Sequence, residues 1–234
     1  MTPDHAQEAR AGEFFSGFAA KWDSLYGGKR NLFWRVLDNW LRRDIQERYQ
    51  LTFERLGSDL RGQTVLDIGC GSGVYCFEAA RRGAARVVGI DLAEGMISLA
   101  RQDCSRMGLA AACEFICSPF PPHNSSLERL DSFDYGIVMG VTDYLADPAA
   151  FLSAMRPLVR KFAVIQFNAH HWFRAPLRYY RYQLLGRCEV YTYDEKQVRD
   201  LLAKAGFDKL DILRLNHSGN SYIVTAYSGD QPES

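Results

Sequence analysis

The stretch Val65–Gly73, VLDIGCGSG, joins a short apolar run to an aspartate and then to three glycines at alternating positions. An apolar run of this length, rich in branched residues and bounded by glycine, predicts a buried strand. The following GVYCFEAARR has helical spacing, so the glycines occupy a strand-to-helix turn. Glycine permits a tight turn and lets backbone approach a ligand with no Cβ between them. Two familiar uses of such a turn fail here. The dinucleotide pattern G-x-G-x-x-G meets Val74 when counted from Gly69 and Cys76 when counted from Gly71. A P-loop needs Gly-Lys-Ser/Thr, and none follows.

Outward from this turn, short apolar runs alternate with helical patterns. Strands are expected near Thr64–Ile68, Arg86–Ile90, Cys113–Cys117, Phe133–Met139 and Lys161–Phe167. Helices are expected near Gly73–Arg82, Glu94–Arg106, Pro148–Leu158 and Asp194–Ala205. Alternation of this kind builds a parallel sheet covered on both faces. LDILRLNHSGNSYIVTAY then reads as two strands around a Ser-Gly-Asn turn, an antiparallel hairpin that closes the sheet. Upstream, Phe14, Phe15 and Phe18 recur at helical spacing within Ala9–Lys21, and YGGKRN breaks the pattern. A long amphipathic helix follows from Asn31, with Tyr49, Phe53 and Leu56 on its apolar side and a stop at Gly57. The expected organisation is a helical cap or lid over 1–57, an α/β domain over 58–228 with a lid insertion near 170–193, and a disordered tail at 229–234 within the closing SGDQPES.

Composition narrows the partners. Lys plus Arg equals Asp plus Glu at 28 each, so no global field favours nucleic acid or a membrane surface. No run approaches the roughly 18 apolar residues of a membrane span, and MTPDHAQEAR has no signal-peptide pattern. Six cysteines in 234 residues are too sparse for a disulfide scaffold and too irregular for a zinc site. Cys113 and Cys117 form C-x-x-x-C, but the third cysteine of a radical iron–sulfur motif falls at Phe120. A reducing cytoplasm is expected, with no metal.

The second strand run, VVGIDLAEGM, ends in Asp91, about 20 residues beyond the glycines, where a carboxylate accepts the hydroxyls of a ribose laid across the first turn. Glycines and acid together indicate an adenosine-type ligand that lacks a pyrophosphate. VLDIGCGSG followed by VVGIDLAEGMISLAR resembles the first two motifs of the class I S-adenosylmethionine-dependent methyltransferases. GVTDYLADPAAFL and RAPLRYYRYQLLGRCEVYTYDEKQV locally resemble the magnesium-protoporphyrin O-methyltransferase branch.

The resemblance implies a Rossmann-like α/β fold of seven strands, mostly parallel, with an antiparallel closing hairpin, helices on both faces and an N-terminal helical cap. It implies S-adenosylmethionine (SAM) as cofactor and S-adenosylhomocysteine (SAH) as product. By this likeness Asp67 anchors the ammonium group of SAM, directly or through water. Gly69, Cys70 and Gly71, with Gly73, pass under the methionine portion. Asp91 holds the ribose, while Leu92 and Met96 flank the adenine. Relatives often have Gly-Asp after the third strand; FICSPF stands here, leaving Ser118 or nearby backbone at the adenine edge. Met139 and Tyr26 complete the expected cofactor shell.

Methyl transfer is an in-line displacement, so the protein must chiefly align the nucleophile and exclude water. A base is needed only for an acceptor that must lose a proton. Candidates are Tyr144, which occupies the place of a frequent histidine in relatives, Asp143, and His170 and His171 beyond the fifth strand. Asp143 is equally readable as a solvated or helix-capping residue, and His217 as structural. The segment 170–190 concentrates Arg174, Arg178 and Arg181 at helical spacing with Trp172 and several tyrosines. It suggests a lid over an aromatic or anionic substrate, or simply a solvated helix face. The expected activity is methylation of an O, N or C nucleophile on a small molecule, with no nucleic-acid partner and an undefined oligomeric state. A non-catalytic SAM-binding regulator and a nucleic-acid methyltransferase remain as alternatives; tetrapyrrole, quinone-like phenol and nucleotide-sugar acceptors all stay open.

Overall fold

The computed structural model describes residues 45–121, 130–145, 147–169, 190–215 and 221–229. The first described helix, α1, covers 45–56 and stops at Gly57, whose φ of 95° ends the helical path. The glycine turn follows β1 (Thr64–Ile68) and leads into α2 (Val74–Arg81). β2 (Arg86–Asp91), α3 (Glu94–Arg106), β3 (Cys113–Cys117) and β4 (Phe133–Val138) continue the alternation. Then come α4 (Pro148–Met155), β5 (Val159–Asn168), α5 (Glu195–Lys204), β6 (Lys209–Leu215) and β7 (Ser221–Tyr227). The helix expected over Pro148–Leu158 divides at its end, because Pro157 cannot donate to an α-helical ladder and Arg156–Leu158 tighten into a 3₁₀ turn.

The strands form one seven-stranded sheet in the order β3-β2-β1-β4-β5-β7-β6, parallel from β3 to β5 and antiparallel across β7 and β6. The fold is Rossmann-like, and the order reverses between β1 and β4, where such sheets carry their ligands. Side chains alternate along each strand. Leu66, Val88, Ile165 and Val224 face one core with Phe151, Leu152, Val198 and Leu202 of α4 and α5. Val65, Val87, Val164 and Ile223 face the other with Phe53, Cys76, Ile97 and Cys104 of α1, α2 and α3. Helices therefore cover both faces.

α5 shows why local sequence defines these ends. Asp194 accepts from the Gln197 amide at 2.8 Å while the Gln197 side chain accepts from the Asp194 amide at 2.8 Å, a reciprocal capping box. At the other end of the chain, Ser228 stands inside the fold rather than in a loose tail. Its amide donates to Lys161 O at 2.8 Å, and its carbonyl accepts from Arg156.

α1 is continuous with the core. Phe53 is 2% exposed, lies 6.0 Å from Tyr75 in a stacked arrangement, and carries the Arg82 guanidinium 4.6 Å above its ring. Arg82 also donates to the carbonyls of Phe53 and Gly57, so it closes the C-terminal end of α1. Phe53→Ala removes the largest anchor of α1 and is expected to lower the unfolding free energy by about 3 kcal/mol. Urea unfolding followed by far-UV circular dichroism measures it. A loss below about 1 kcal/mol would mean that α1 is peripheral. Among the described residues no helix is long and apolar enough to cross a membrane.

Candidate functional site

The glycine turn is sewn to the tip of β2. Gly69 N and Cys70 N both donate to Ile90 O, at 2.7 and 3.1 Å, and Gly73 N donates to Cys70 O at 2.9 Å. Gly71 N donates to Asp91 Oδ2 at 2.8 Å, while Asp91 Oδ1 accepts from Ala93 N at 2.8 Å. These amides are spent on the protein, so the turn is not a phosphate cradle, which would leave them pointing at the ligand. It is a smooth floor.

The glycines serve different ends. Gly69 has a φ of 78°, and a Cβ there would stand 2.1 Å from Val141 Cγ2. Gly71 has a φ of 52° and open space where its Cβ would be, on the cavity wall. Gly73 does not line the cavity. A Cβ on it would press on Phe77 and Phe115, which assigns it to the packing of α2 rather than to a ligand.

Beyond the carboxyl ends of β1, β2 and β4 lies a cavity of about 730 Å³, within the range of small-molecule sites. Gly69, Cys70 and Gly71 form its floor, Asp91, Leu92 and Met96 one side, and Ser118 and Phe120 the edge next to β3. Met139, Val141 and Tyr144 follow from the end of β4. Ser118 points its hydroxyl to Pro119 O at 3.0 Å, and its amide donates to Asp91 O at 3.0 Å. Asp91 is the one charged side chain among the described residues that line this cavity. Burial raises its pKa, and the amides of Ala93, Gly71 and Leu92 oppose that by favouring the carboxylate. A carboxylate has about four lone-pair sites, so these amides do not exhaust its capacity to accept from a ligand.

Besides Gly73, two expected site residues lie elsewhere. Asp67 is 1% exposed, accepts from the Cys76 thiol at 3.3 Å, and is not part of the cavity wall. Asp143 is buried rather than solvated, at 2% exposure, and its Oδ1 accepts from Asn168 N at 3.2 Å. Neither position caps an α-helix; Asp143 instead ties the Thr142–Tyr144 3₁₀ turn to the end of β5. Tyr26, His170, His171, Trp172, Arg174, Arg178, Arg181 and His217 fall outside the described residues, as does most of the expected lid.

α1, within the region expected to act as a cap or lid, supplies part of the cavity wall. Ile45, Gln46 and Tyr49 line the cavity opposite Met139 and Tyr144, with Tyr75 of α2 beside them. Tyr49 and Tyr75 lie 5.6 Å apart in a tilted pair. Burial, followed by the hydrogen bond and charge of Glu78, pushes the Tyr49 phenol up to about 12, so it stays a donor at neutral pH. The available signal was a tyrosine on an otherwise apolar helix stripe, whose hydroxyl requires a polar partner.

Burial lifts Asp67 from 3.8 to about 7, against the lowering influence of the Cys76 thiol and with a further push from Asp91. The folded protein thus holds a proton that the unfolded chain releases above its own pKa. Stability is complete below about pH 4, falls as pH rises toward 7, and then levels off. Asp67→Asn does not titrate. Its unfolding free energy, relative to the wild type, is expected to rise by about 2–3 kcal/mol between pH 4 and 8, discounting part of the full shift for relaxation. Parallel urea titrations check this, and a constant difference would contradict it.

The crevice at the strand-order switch thus lies on a Rossmann-like sheet between a closed glycine turn and a carboxylate at the neighbouring strand tip. The chain belongs to the methyltransferase-domain family, whose model matches residues 59–206. It is similar to a ubiquinone biosynthesis O-methyltransferase of Neisseria meningitidis serogroup C (strain 053442), with 36% identity over 47% of this chain and 45% of that protein. The chain spans about half the length of the curated relatives it matches first.

Its fold matches the crystal structure of magnesium protoporphyrin IX methyltransferase from Synechocystis PCC 6803 with bound SAH. The TM-score is 0.73 at 21% identity, covering 95% of this chain and 100% of that one. It also matches a Burkholderia thailandensis 1,6-didemethyltoxoflavin-N1-methyltransferase, at TM-score 0.65 and 19% identity, over 98% and 92% of the two chains.

Proposed function

We propose that this protein is a SAM-dependent methyltransferase acting on a small ring-bearing acceptor. The observation that carries the reading is the pairing of Asp91 with the open floor at Gly71. The carboxylate holds the ribose hydroxyls through its remaining lone pairs, and the methionine end lies along the glycine backbone. Leu92 and Met96 sandwich the adenine, with Ser118 and Phe120 at its edge. Asp67, behind the floor, acts on the ammonium end through the turn or a water rather than by direct contact.

SAM supplies an activated methyl group with its leaving group already in place. The chain's part is therefore alignment and dryness. Tyr49, Tyr75, Tyr144 and Ile45 present flat or apolar surfaces to the acceptor, and the described wall sets no cation against it. An uncharged aromatic ring fits this wall. The two full-length fold neighbours above, named for methylating ring compounds, support the same class. Tyr144, on the cavity wall after β4, would orient a hydroxyl acceptor through its phenol.

The test is transfer of labelled methyl from SAM to a panel of phenols, aromatic acids and tetrapyrroles, with SAH formation measured alongside. Label on one acceptor, with stoichiometric SAH, supports the reading. SAH-tight protein that labels none of them would favour a non-catalytic SAM binder.

A further inference from the structure

At the carboxyl end of β5 lies a polar patch that the cofactor site does not use. Asn168, the last residue of β5, pairs across the antiparallel ladder with Ser221, the first of β7, and the two are 5% and 1% exposed. Gln166 lies two residues earlier on the same face and is fully buried. Its Oε1 accepts from Gly140 N at 2.8 Å and from Arg48 at 3.2 Å, and its Nε2 donates to Asn168 Oδ1 at 3.2 Å. That last bond fixes how the Asn168 amide is turned, because its oxygen must face the Gln166 donor. The Asn168 NH₂ group is thereby aimed elsewhere. Among the described residues, neither Asn168 Nδ2 nor Ser221 Oγ has a hydrogen-bond partner.

Folds seldom bury such groups unpaired, and where they do, a ligand or a water usually completes them. The position favours a ligand. Gly140, bonded to Gln166, lines the cavity between Met139 and Val141. Thr142 Oγ1 donates to Gln166 O at 2.7 Å, and Asp143 accepts from Asn168 N, so the turn carrying Tyr144 is pinned to the same patch. Gln166 stands one hydrogen bond behind the cavity wall and Asn168 two, at the end of the sheet where ligands bind.

Resting on the methyltransferase reading, we infer that Asn168 and Ser221 form an anchoring subsite for the acceptor, taking an sp² oxygen, such as a ring carbonyl, away from the methylated atom. Rings without that oxygen leave the donors unpaired and are rejected, the strongest form of selection a small site has.

The test uses the full chain as wild type, Asn168→Asp and Ser221→Ala, with 1-indanone and its hydrocarbon counterpart indane as probes. Calorimetry first measures SAH, whose affinity is expected to be the same in all three. With SAH bound, the wild type should hold indanone about tenfold tighter than indane. Asn168→Asp, which keeps the oxygen toward Gln166 but removes the donor, should abolish that preference, and Ser221→Ala should reduce it. The side-chain NH₂ signals that vanish in Asn168→Asp should shift with indanone and stay still with indane.

Equal affinities in the wild type, a preference that survives both variants, or no indanone binding while SAH binds would each overturn the subsite and leave the donors to a buried water. Should Asn168→Asp not fold, Ser221→Ala carries the test, since it removes a hydroxyl that has no partner. Failure of the wild type to bind SAH would instead strike the methyltransferase reading, and the indanone preference is therefore also measured without SAH.

Discussion

Asp91→Ala is expected to weaken SAM binding by about 100- to 1,000-fold while the fold stays intact. Two contributions add. Hydrogen bonds from ribose hydroxyls to a carboxylate are worth roughly 1.5–3 kcal/mol each, and a factor of ten in affinity corresponds to about 1.4 kcal/mol. The same side chain also braces the floor, since its two oxygens hold Gly71 N and Ala93 N at 2.8 Å. Asp91→Asn should fall between wild type and alanine, because it keeps one acceptor oxygen and loses the charge. Isothermal calorimetry measures all three. A loss under about fivefold for alanine would place the ribose elsewhere.

Gly69→Ala is expected to destabilise the fold by about 4 kcal/mol and to remove measurable SAM binding. An alanine held at φ 78° sits in the left-handed region, at roughly 1–2 kcal/mol. Its methyl would also meet Val141 Cγ2 at 2.1 Å, an overlap that forces the end of β4 to move, at about 1–3 kcal/mol. Val141 lines the cavity, so the displacement reaches the site. The double variant Gly69→Ala/Val141→Ala should recover the overlap portion and leave the backbone strain. Thermal unfolding of the single and double variants separates the two contributions, and equal stability of both would mean that contact with Val141 plays no part.

Much of this was readable in the chain because local rules and tertiary packing agree there. β1, β3 and α3 have the boundaries expected from the sequence, each bracketed by glycine, a capping position or a clear change of period. β5 runs further in both directions than its apolar core suggests. Val159 pairs with Phe133 and Asn168 with Ser221, and neither partnership leaves a local signal. The same cause hid Asn168 and Gln166, polar residues whose burial depends on strands distant in sequence.

Site residues followed a similar division. Asp91, Leu92, Met96, Ser118, Met139 and Tyr144 stand around the cavity because strand tips and the turns after them converge by topology alone. Gly73 fits the glycine pattern yet serves helix packing, since spacing does not distinguish a Cβ-free surface facing a ligand from one facing Phe77 and Phe115. Asp143 looked solvated or helix-capping because nothing nearby in sequence reveals that Asn168 N donates to its carboxylate and Tyr191 N to its backbone carbonyl. Tyr49 looked like core because its cavity-facing role depends on how α1 crosses the sheet.

A crystal structure of the protein grown with SAH tests the central claim most directly. SAH is expected in the cavity, with both ribose hydroxyls within hydrogen-bond distance of Asp91 and the homocysteine chain passing over Gly71. SAH bound elsewhere, or a ribose turned away from Asp91, would contradict it.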